Sequence, residues 1–141
     1  MWIELTAGQL VSRVTAPERE ALQTAATSFD QEDVLADIAR DIAAEWRGGL
    51  ARVVSLSKRP LAVPTEIMVH ILADFRYRAF TRLPGMRGLL DELRVSEWER
   101  ANKVRDNLGK IQIEPPEEDD LLEGSAAPMT PGIYVPPRIL D

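Results

Sequence analysis

The sequence contains a single histidine, His70, and this is the first side chain to consider for chemistry. A metal site or a proton-transfer site needs a second ligand or partner, and the chain has no other histidine and no cysteine. It also has no glycine-rich phosphate loop and no recognisable set of serine, histidine and aspartate. We interpret His70 as an ordinary, partly buried histidine, with a metal or catalytic role as the weaker alternative. The sequence predicts no enzymatic activity, no cofactor and no metal.

Three aspartates recur at helical spacing in the first half of the chain. Asp33, Asp37 and Asp41 are four residues apart, which places their carboxylates on one flank of a helix. A solvated helix face is the simplest interpretation, and an ionic contact with a neighbouring subunit is the more specific one. A two-carboxylate enzyme is the least favoured, because nothing in the sequence indicates a pocket that would raise a carboxyl pKa.

A run of four carboxylates, Glu117 to Asp120, lies near the C-terminus. It lacks the alternate spacing and the glycine of a calcium-binding loop. We interpret it as a solvated spacer, or as a segment that pairs with a basic patch on a partner.

The charged residues are unevenly distributed along the chain. Residues 1–110 contain 16 basic and 16 acidic residues, whereas residues 111–141 contain Arg138 and seven acidic residues. The whole net charge of −6 therefore belongs to the C-terminal part. A neutral domain argues against a general DNA-binding surface. We expect a helical domain over residues 1–113 and an acidic, proline-rich arm over residues 114–141.

The composition fits one domain without a membrane span. Of the 141 residues, 45% are hydrophobic and 6% are aromatic, so we expect a core of mainly Leu, Ile, Val and Ala. The N-terminal sequence MWIELTAGQL lacks the basic and apolar regions of a secretory signal. No apolar run approaches the roughly 18 residues of a transmembrane helix, and we expect no membrane partner.

Helix caps predict three helices in the first 50 residues. Thr6 begins a short helix over 6–13, and the sequence TAPE begins a second, with Thr15 and Glu18 forming a capping box. Asp30 is the expected N-cap of the third helix, which the pair Gly48-Gly49 should end.

The second half of the chain predicts two further helices and an extended segment. Pro64 opens a helix over about 65–83, and Ser96 with Glu99 forms a capping box for another that ends at Gly109. The sequence KIQIEPP alternates and indicates a short extended segment. The fold class is therefore all-α: a small bundle of four to five helices with a short extended segment and a long extended C-terminal arm.

Two aromatic residues of the 65–83 helix lie away from its apolar stripe. On a helical wheel the stripe centres near Met68 and Phe75, whereas Tyr77 and Phe80 share a different face. Either they form a surface for a partner, or another helix of the bundle covers them. Two arginines near the end of the same helix, Arg78 and Arg82, are further candidates for partner binding and also suit the helix dipole.

The end of the chain combines prolines with apolar side chains. Residues 111–141 contain six prolines, which lower the entropy lost when an extended arm becomes ordered. Such an arm can add to a sheet edge or fill a groove of a partner. The candidate anchors are Ile133, Tyr134, Val135, Ile139 and Leu140.

The order of these motifs resembles the small head–tail connector, or adaptor, proteins of tailed bacteriophages and gene transfer agents. The shared sequences are a loop RPLAVP, a helix ILADFRYRAFTRL and a segment WERANKVRDNLGKIQI, and the likeness covers about residues 1–113. The positions that carry it are Pro60, Leu61, Val63, Pro64, Arg76, Tyr77, Arg78, Trp98, Ala101, Leu108, Gly109, Ile111 and Ile113.

The resemblance implies a structural subunit without catalytic activity. Proteins of this family assemble into a homo-oligomeric ring, commonly of about twelve copies, that lies under the portal protein in the neck of the virion. The ring extends the channel through which DNA passes without sequence-specific binding, and it docks the next neck or tail protein. Assembly would take place in the cytoplasm of the host bacterium. Two alternatives remain: a small terminase-like DNA-packaging factor, and an antitoxin or inhibitor whose acidic tail masks a basic partner.

Overall fold

The computed structural model describes residues 1–28 and 30–123, without the side chain of Glu32. Within these residues the chain forms a small helical bundle, which confirms the all-α prediction. The α-helices are α1 (Ala7–Arg13), α2 (Ala16–Ser28), α3 (Glu32–Leu50), α4 (Met68–Arg82) and α5 (Glu92–Asp106). Short 3-10 turns at Thr65–Ile67, Arg87–Leu89, Leu108–Lys110 and Glu118–Asp120 flank or follow α4 and α5.

The caps of the first two helices form as the sequence predicts. Thr6 Oγ1 accepts a hydrogen bond from Gln9 N–H (3.1 Å), which satisfies a free donor at the start of α1. At the start of α2, Thr15 Oγ1 accepts from Glu18 N–H (3.3 Å) and a Glu18 carboxylate oxygen accepts from Thr15 N–H (3.1 Å). This reciprocal pair is a capping box.

Helix α3 begins and ends later than expected. Its N-cap is Gln31 and not Asp30, which adopts a left-handed conformation (φ 54°) in the turn before the helix. The helix continues through Gly48 and Gly49 to the fully buried Leu50. A side chain at Gly49 would lie 3.1 Å from Leu108 Cδ1, so this glycine provides space for the end of α5 and does not terminate α3.

The prediction for the start of α5 is wrong. The helix begins at Glu92, and Asp91 is its N-cap, with Asp91 Oδ1 accepting from Arg94 N–H (2.9 Å). Ser96 therefore lies inside the helix and does not cap it. Both positions have a suitable N-cap residue, and only Ser96 has a glutamate three residues later, so the capping-box pattern favours the position that the fold does not use.

A two-stranded antiparallel sheet joins the N-terminus to the loop before α4. Strand β1 (Trp2–Glu4) pairs with β2 (Ala62–Pro64), with Ile3 opposite Val63. Pro64 lacks an N–H, and it lies at a position where no ladder hydrogen bond is needed, since the neighbouring Thr65 N–H donates to Met1 O (2.8 Å). The strand at the N-terminus was not expected, because three residues carry no periodic signal.

The core lies between the helices and is centred on α3 and α4. Trp46 of α3 and Phe75 and Phe80 of α4 are its largest fully buried side chains. Helix α4 packs most extensively against α5, and α3 packs on another side of α4. Because neighbours cover α4 on more than one side, residues outside its main apolar stripe are also buried.

We predict that Phe80→Ala will lower the free energy of unfolding by about 3–5 kcal/mol, because it removes a fully buried ring and leaves a cavity. Val69→Ala is the matched control on the same helix, since Val69 is 65% exposed and should cost less than about 0.5 kcal/mol. Urea denaturation followed by circular dichroism measures both. Equal and small losses would contradict the core position of Phe80.

Candidate functional site

The two aromatic residues singled out on α4 contact the same chain. Phe80 is fully buried, so its prediction as a partner-binding residue is wrong and the alternative, coverage by other helices, is correct. Tyr77 is half-buried and stacks on Trp98 of α5, with ring centroids 3.8 Å apart and planes 6° from parallel. The stack joins α4 to α5, and Tyr77 offers a partner only the part of its ring that this contact leaves open.

Arg78 is part of a buried ionic cluster. Its guanidinium donates to both carboxylate oxygens of Asp74, from Nε (2.9 Å) and from Nη2 (3.3 Å). Asp74 is 1% exposed and also accepts from the indole Nε1–H of Trp46 (3.0 Å). Arg78 additionally pairs with Glu45 of α3. The charge of Arg78 is therefore paired within the bundle, and its binding of a partner through the part that remains exposed stays a prediction.

Arg105 of α5 completes the cluster. Its Nη1 lies 3.7 Å from Asp74 Oδ2 and 3.8 Å from Glu45 Oε2, and its Cζ lies 5.8 Å from the centroid of the Trp46 ring. Nη1 is buried and has no hydrogen-bond partner among the described residues. Two arginines and two carboxylates thus connect α3, α4 and α5, and we refer to Glu45, Asp74, Arg78 and Arg105 as the Asp74 cluster.

A surface cleft of about 460 Å³ lies above this cluster, between α4 and α5. Tyr77, Trp98, Thr81 and Asn102 line it beside the arginines. Arg82, in the last turn of α4, is exposed and has no ion-pair partner within residues 1–28 and 30–123. Of the four candidates on α4, Arg82 is the side chain that the fold leaves accessible to a partner.

The three aspartates of α3 lie near the surface of the helix. Asp33 and Asp41 are exposed, and Asp37 pairs with Arg40 one turn later. The arrangement fits a solvated face. An ionic contact with a neighbouring subunit stays a prediction; Asp33 and Asp41 are exposed, and the Asp37 side chain is 47% exposed beside Arg40.

The five apolar anchors predicted in the arm lie outside the described residues. They are Ile133, Tyr134, Val135, Ile139 and Leu140. Their role in binding a partner stays a prediction.

Residues 114–122, which we call the strap, lie against the helical domain. At its start, Trp2 Nε1–H donates to Glu114 O (2.8 Å), and Glu114 N–H donates to a carboxylate oxygen of Glu66 (2.8 Å). At its end, Leu121 forms an antiparallel bridge with Ser57. The interpretation of the acidic run as a solvated spacer fits the exposed residues 117–119 and fails at Asp120.

Asp120 pairs with an arginine of its own chain. Arg59 donates from Nε to Oδ1 (3.1 Å) and from Nη2 to Oδ2 (2.9 Å), and Ser57 Oγ also donates to Oδ2 (2.8 Å). The hydrogen bonds from Arg59 hold the pKa of the Asp120 carboxyl below its ordinary value. Sixty-one residues separate the two members of this pair, so no local pattern could have revealed it.

A second buried carboxylate, Glu18, joins α2 to α4 and α5. Glu18 lies 3.1 Å from Arg76 Nε and 3.0 Å from Arg94 Nη2. Burial by itself would raise the pKa of Glu18, but the hydrogen bond from Thr15 N–H and the charges of Arg76 and Arg94 outweigh it, so this pKa lies below its ordinary value. The capping box therefore has a tertiary function in addition to its local one.

His70 is half-buried near the start of α4. Burial, with the charge of Arg100, lowers the pKa of its imidazole. The part of the chain that the structure describes holds no group of three His, Cys, Asp or Glu side chains arranged for a metal ion. It also holds no helix that is long and apolar enough to span a membrane.

The ion pairs around Asp74 and Glu18 connect helices of this bundle to one another. No protein-family model, curated protein or solved structure matches the chain.

We predict that Asp74→Ala will lower the free energy of unfolding by about 3–5 kcal/mol, because it leaves Arg78 and the Trp46 N–H without their buried acceptor. Asp37→Ala is the control, since it removes a surface ion pair on one helix and should cost about 0.5 kcal/mol or less. Chemical denaturation measures both losses. A loss at Asp74 no larger than that at Asp37 would show that the cluster does not stabilise the bundle.

We also predict that Glu18 makes stability depend on pH. A carboxyl with a lowered folded-state pKa contributes stability that is present above its unfolded pKa and is lost as the pH falls through the folded value. The fall in melting temperature between about pH 6 and pH 3 should therefore be smaller in Glu18→Gln than in wild type. Glu20→Gln, on the exposed side of the same turn, should follow the wild-type curve. Parallel curves for Glu18→Gln and wild type would contradict the prediction.

Proposed function

We propose that this protein is a structural head–tail connector of a tailed phage or phage-like particle. Copies of the chain form a ring under the portal protein, extend the channel for DNA and dock the next neck or tail protein. The protein catalyses no reaction and binds no cofactor. Its place is the neck of the virion, after assembly in the bacterial cytoplasm.

The observation that carries this proposal is the combination of a neutral helical domain with an acidic, proline-rich C-terminal segment. The domain uses its buried charges, in the Asp74 cluster and around Glu18, to connect its own helices. The strap then leads the chain along the domain surface to Ser57, where the remaining residues begin. A rigid domain with a segment that leaves from a defined point suits assembly by docking onto neighbouring subunits.

The surface of the domain also suits this function. Exposed charges of both signs, such as Asp33 and Asp41 on α3 and Arg82 on α4, are available for contacts between copies or with the portal. A DNA-packaging factor would need a basic face. Of the four arginines that could form one, Arg76 and Arg78 are paired with carboxylates within the bundle, and Arg82 and Arg87 are exposed.

The test is to co-express the chain with the portal protein of the same particle and to examine the complex by native mass spectrometry and negative-stain electron microscopy. We expect a ring of about twelve copies on the portal. A chain that stays monomeric and does not associate with portal would contradict the proposal. A DNA mobility shift that weakens with salt would instead support the packaging factor.

Deletion of residues 125–141 tests the part of the arm that follows the strap. We predict an unchanged helical spectrum and melting temperature, since the deletion leaves the strap intact, together with weaker binding to portal. The measurement compares how much truncated chain and how much full-length chain bind to portal when both are present in the same mixture. Equal incorporation would show that the arm is not an anchor.

A further inference from the structure

The segment Leu56–Arg59 forms a preorganised site for an extended acidic peptide, which the strap fills. Two backbone hydrogen bonds hold the peptide, from Lys58 N–H to Asp120 O (2.7 Å) and from Leu122 N–H to Leu56 O (2.9 Å). Between them, Ser57 and Leu121 lie opposite each other in the antiparallel bridge. A carboxylate on the residue before Leu121 then reaches Arg59 and Ser57. This is strand addition combined with bidentate recognition of a carboxylate.

Residues outside the strap also hold this site in place. Arg47, nearly buried, donates from Nη2 to Ser57 O (2.8 Å) and from Nη1 to Ala62 O (2.7 Å). Ser57 Oγ accepts from Arg59 N–H (3.1 Å), and Arg59 Nη2 donates to Trp2 O (3.0 Å). The receptor loop and its guanidinium therefore have contacts to the domain in addition to those with the strap, and these contacts preorganise them.

The strap, in contrast, is attached mainly through polar contacts. Among residues 114–122 only Pro116 is buried, and Leu121 and Leu122 are exposed by more than a third. Few apolar contacts would be lost on detachment, so the strap belongs to the least stable part of the domain. Pro115 and Pro116 keep the chain extended at the point where it leaves the indole of Trp2.

We propose that the Leu56–Arg59 site exchanges its own strap for the strap of a second copy of this chain. The same hydrogen bonds form whether the strap binds its own domain or a second copy. The equilibrium between the two arrangements therefore depends on the entropy lost when two chains associate, compared with the entropy lost when the strap closes on its own domain. An assembly that holds copies side by side raises the effective concentration of the neighbouring strap and favours exchange. The inference rests on the self-assembly included in the proposed function, and it adds the residues that would connect one copy to the next.

A charge-exchange experiment tests the proposal directly. In the variant Arg59→Asp and in the variant Asp120→Arg, residues 59 and 120 carry charges of the same sign. The strap of each variant therefore cannot form the ion pair with its own Leu56–Arg59 site. When the two variants are mixed, residue 59 of either variant and residue 120 of the other carry opposite charges. We expect the differently tagged variants to copurify, with at least a tenfold larger yield than either variant paired with itself. Asp119→Arg replaces Asp120→Arg in the control mixture, because Asp119 is exposed and contacts neither Ser57 nor Arg59.

Cysteine cross-linking tests the wild-type charges and decides the matter if a charge variant fails to fold. The chain has no cysteine, so Ser57→Cys and Leu121→Cys introduce one thiol each into the bridged pair. Residues opposite each other in an antiparallel bridge lie close enough for a disulfide. We expect a mixture of the two variants to give a reducible dimer joined through positions 57 and 121. A disulfide that forms only when both cysteines are in one chain would overturn the proposal.

The two proposals fail in different ways. Rings on the portal without a disulfide between different chains would support the connector function and contradict strap exchange. A disulfide between different chains of a protein that does not bind the portal would support strap exchange and contradict the connector function.

Discussion

The bundle depends on one buried charge, the carboxylate of Asp74. An ionised side chain that is 1% exposed is stable only where donors replace the water it has lost, and this requirement is met by Arg78 of its own helix and the indole of Trp46 on α3. Arg105 brings α5 to the same point. Because the Trp46 indole, the Arg78 guanidinium and the charge of Arg105 come from three helices to one carboxylate, the relative positions of these helices are constrained more narrowly than apolar packing alone would require.

Glu18 repeats this arrangement at another place in the bundle. It caps α2 and also accepts the arginines of α4 and α5, so a local helix-start signal becomes a contact between three helices. The stack of Tyr77 on Trp98 connects α4 and α5 between these ionic contacts. Arg76, Arg78, Arg94 and Arg105 therefore pair with carboxylates of the bundle and contribute less free positive charge to its surface.

The two ends of the described chain meet at the short sheet. Trp2 contacts the strap at Glu114, and Arg59 contacts both Trp2 and Asp120. The N-terminal strand, the loop before β2 and the strap are thus joined by polar contacts, while Trp2 and Val63 are buried in the core. The strap is attached to this region mainly by polar contacts, which position it accurately and leave it easy to detach, and this suits the assembly function that we propose.

Patterns within a few residues predicted well. The caps at Thr6 and Thr15, the helical spacing of α3 and α4 and the all-α class all follow from contacts between residues three or four apart. Where two N-cap candidates compete, as at Asp91 and Ser96, the same rules selected the wrong one, because the capping-box pattern at Ser96 does not show that the helix already begins at Glu92. The glycine rule was also misleading at Gly48 and Gly49. The sequence predicted a helix end there, whereas both residues lie inside α3.

The sequence by itself determined the helical class, most helix positions and the concentration of negative charge at the C-terminus, because composition and local periodicity control these properties. Only the tertiary structure decided which charges are available. Phe80 is buried, Arg78 is paired with Asp74, and Asp120 is paired with Arg59, whereas Arg82 is exposed. The physical reason is that several of the deciding partners lie far apart in sequence, 28 residues for Trp46 with Asp74 and 61 residues for Arg59 with Asp120. Separations of that length leave no periodic trace in the sequence.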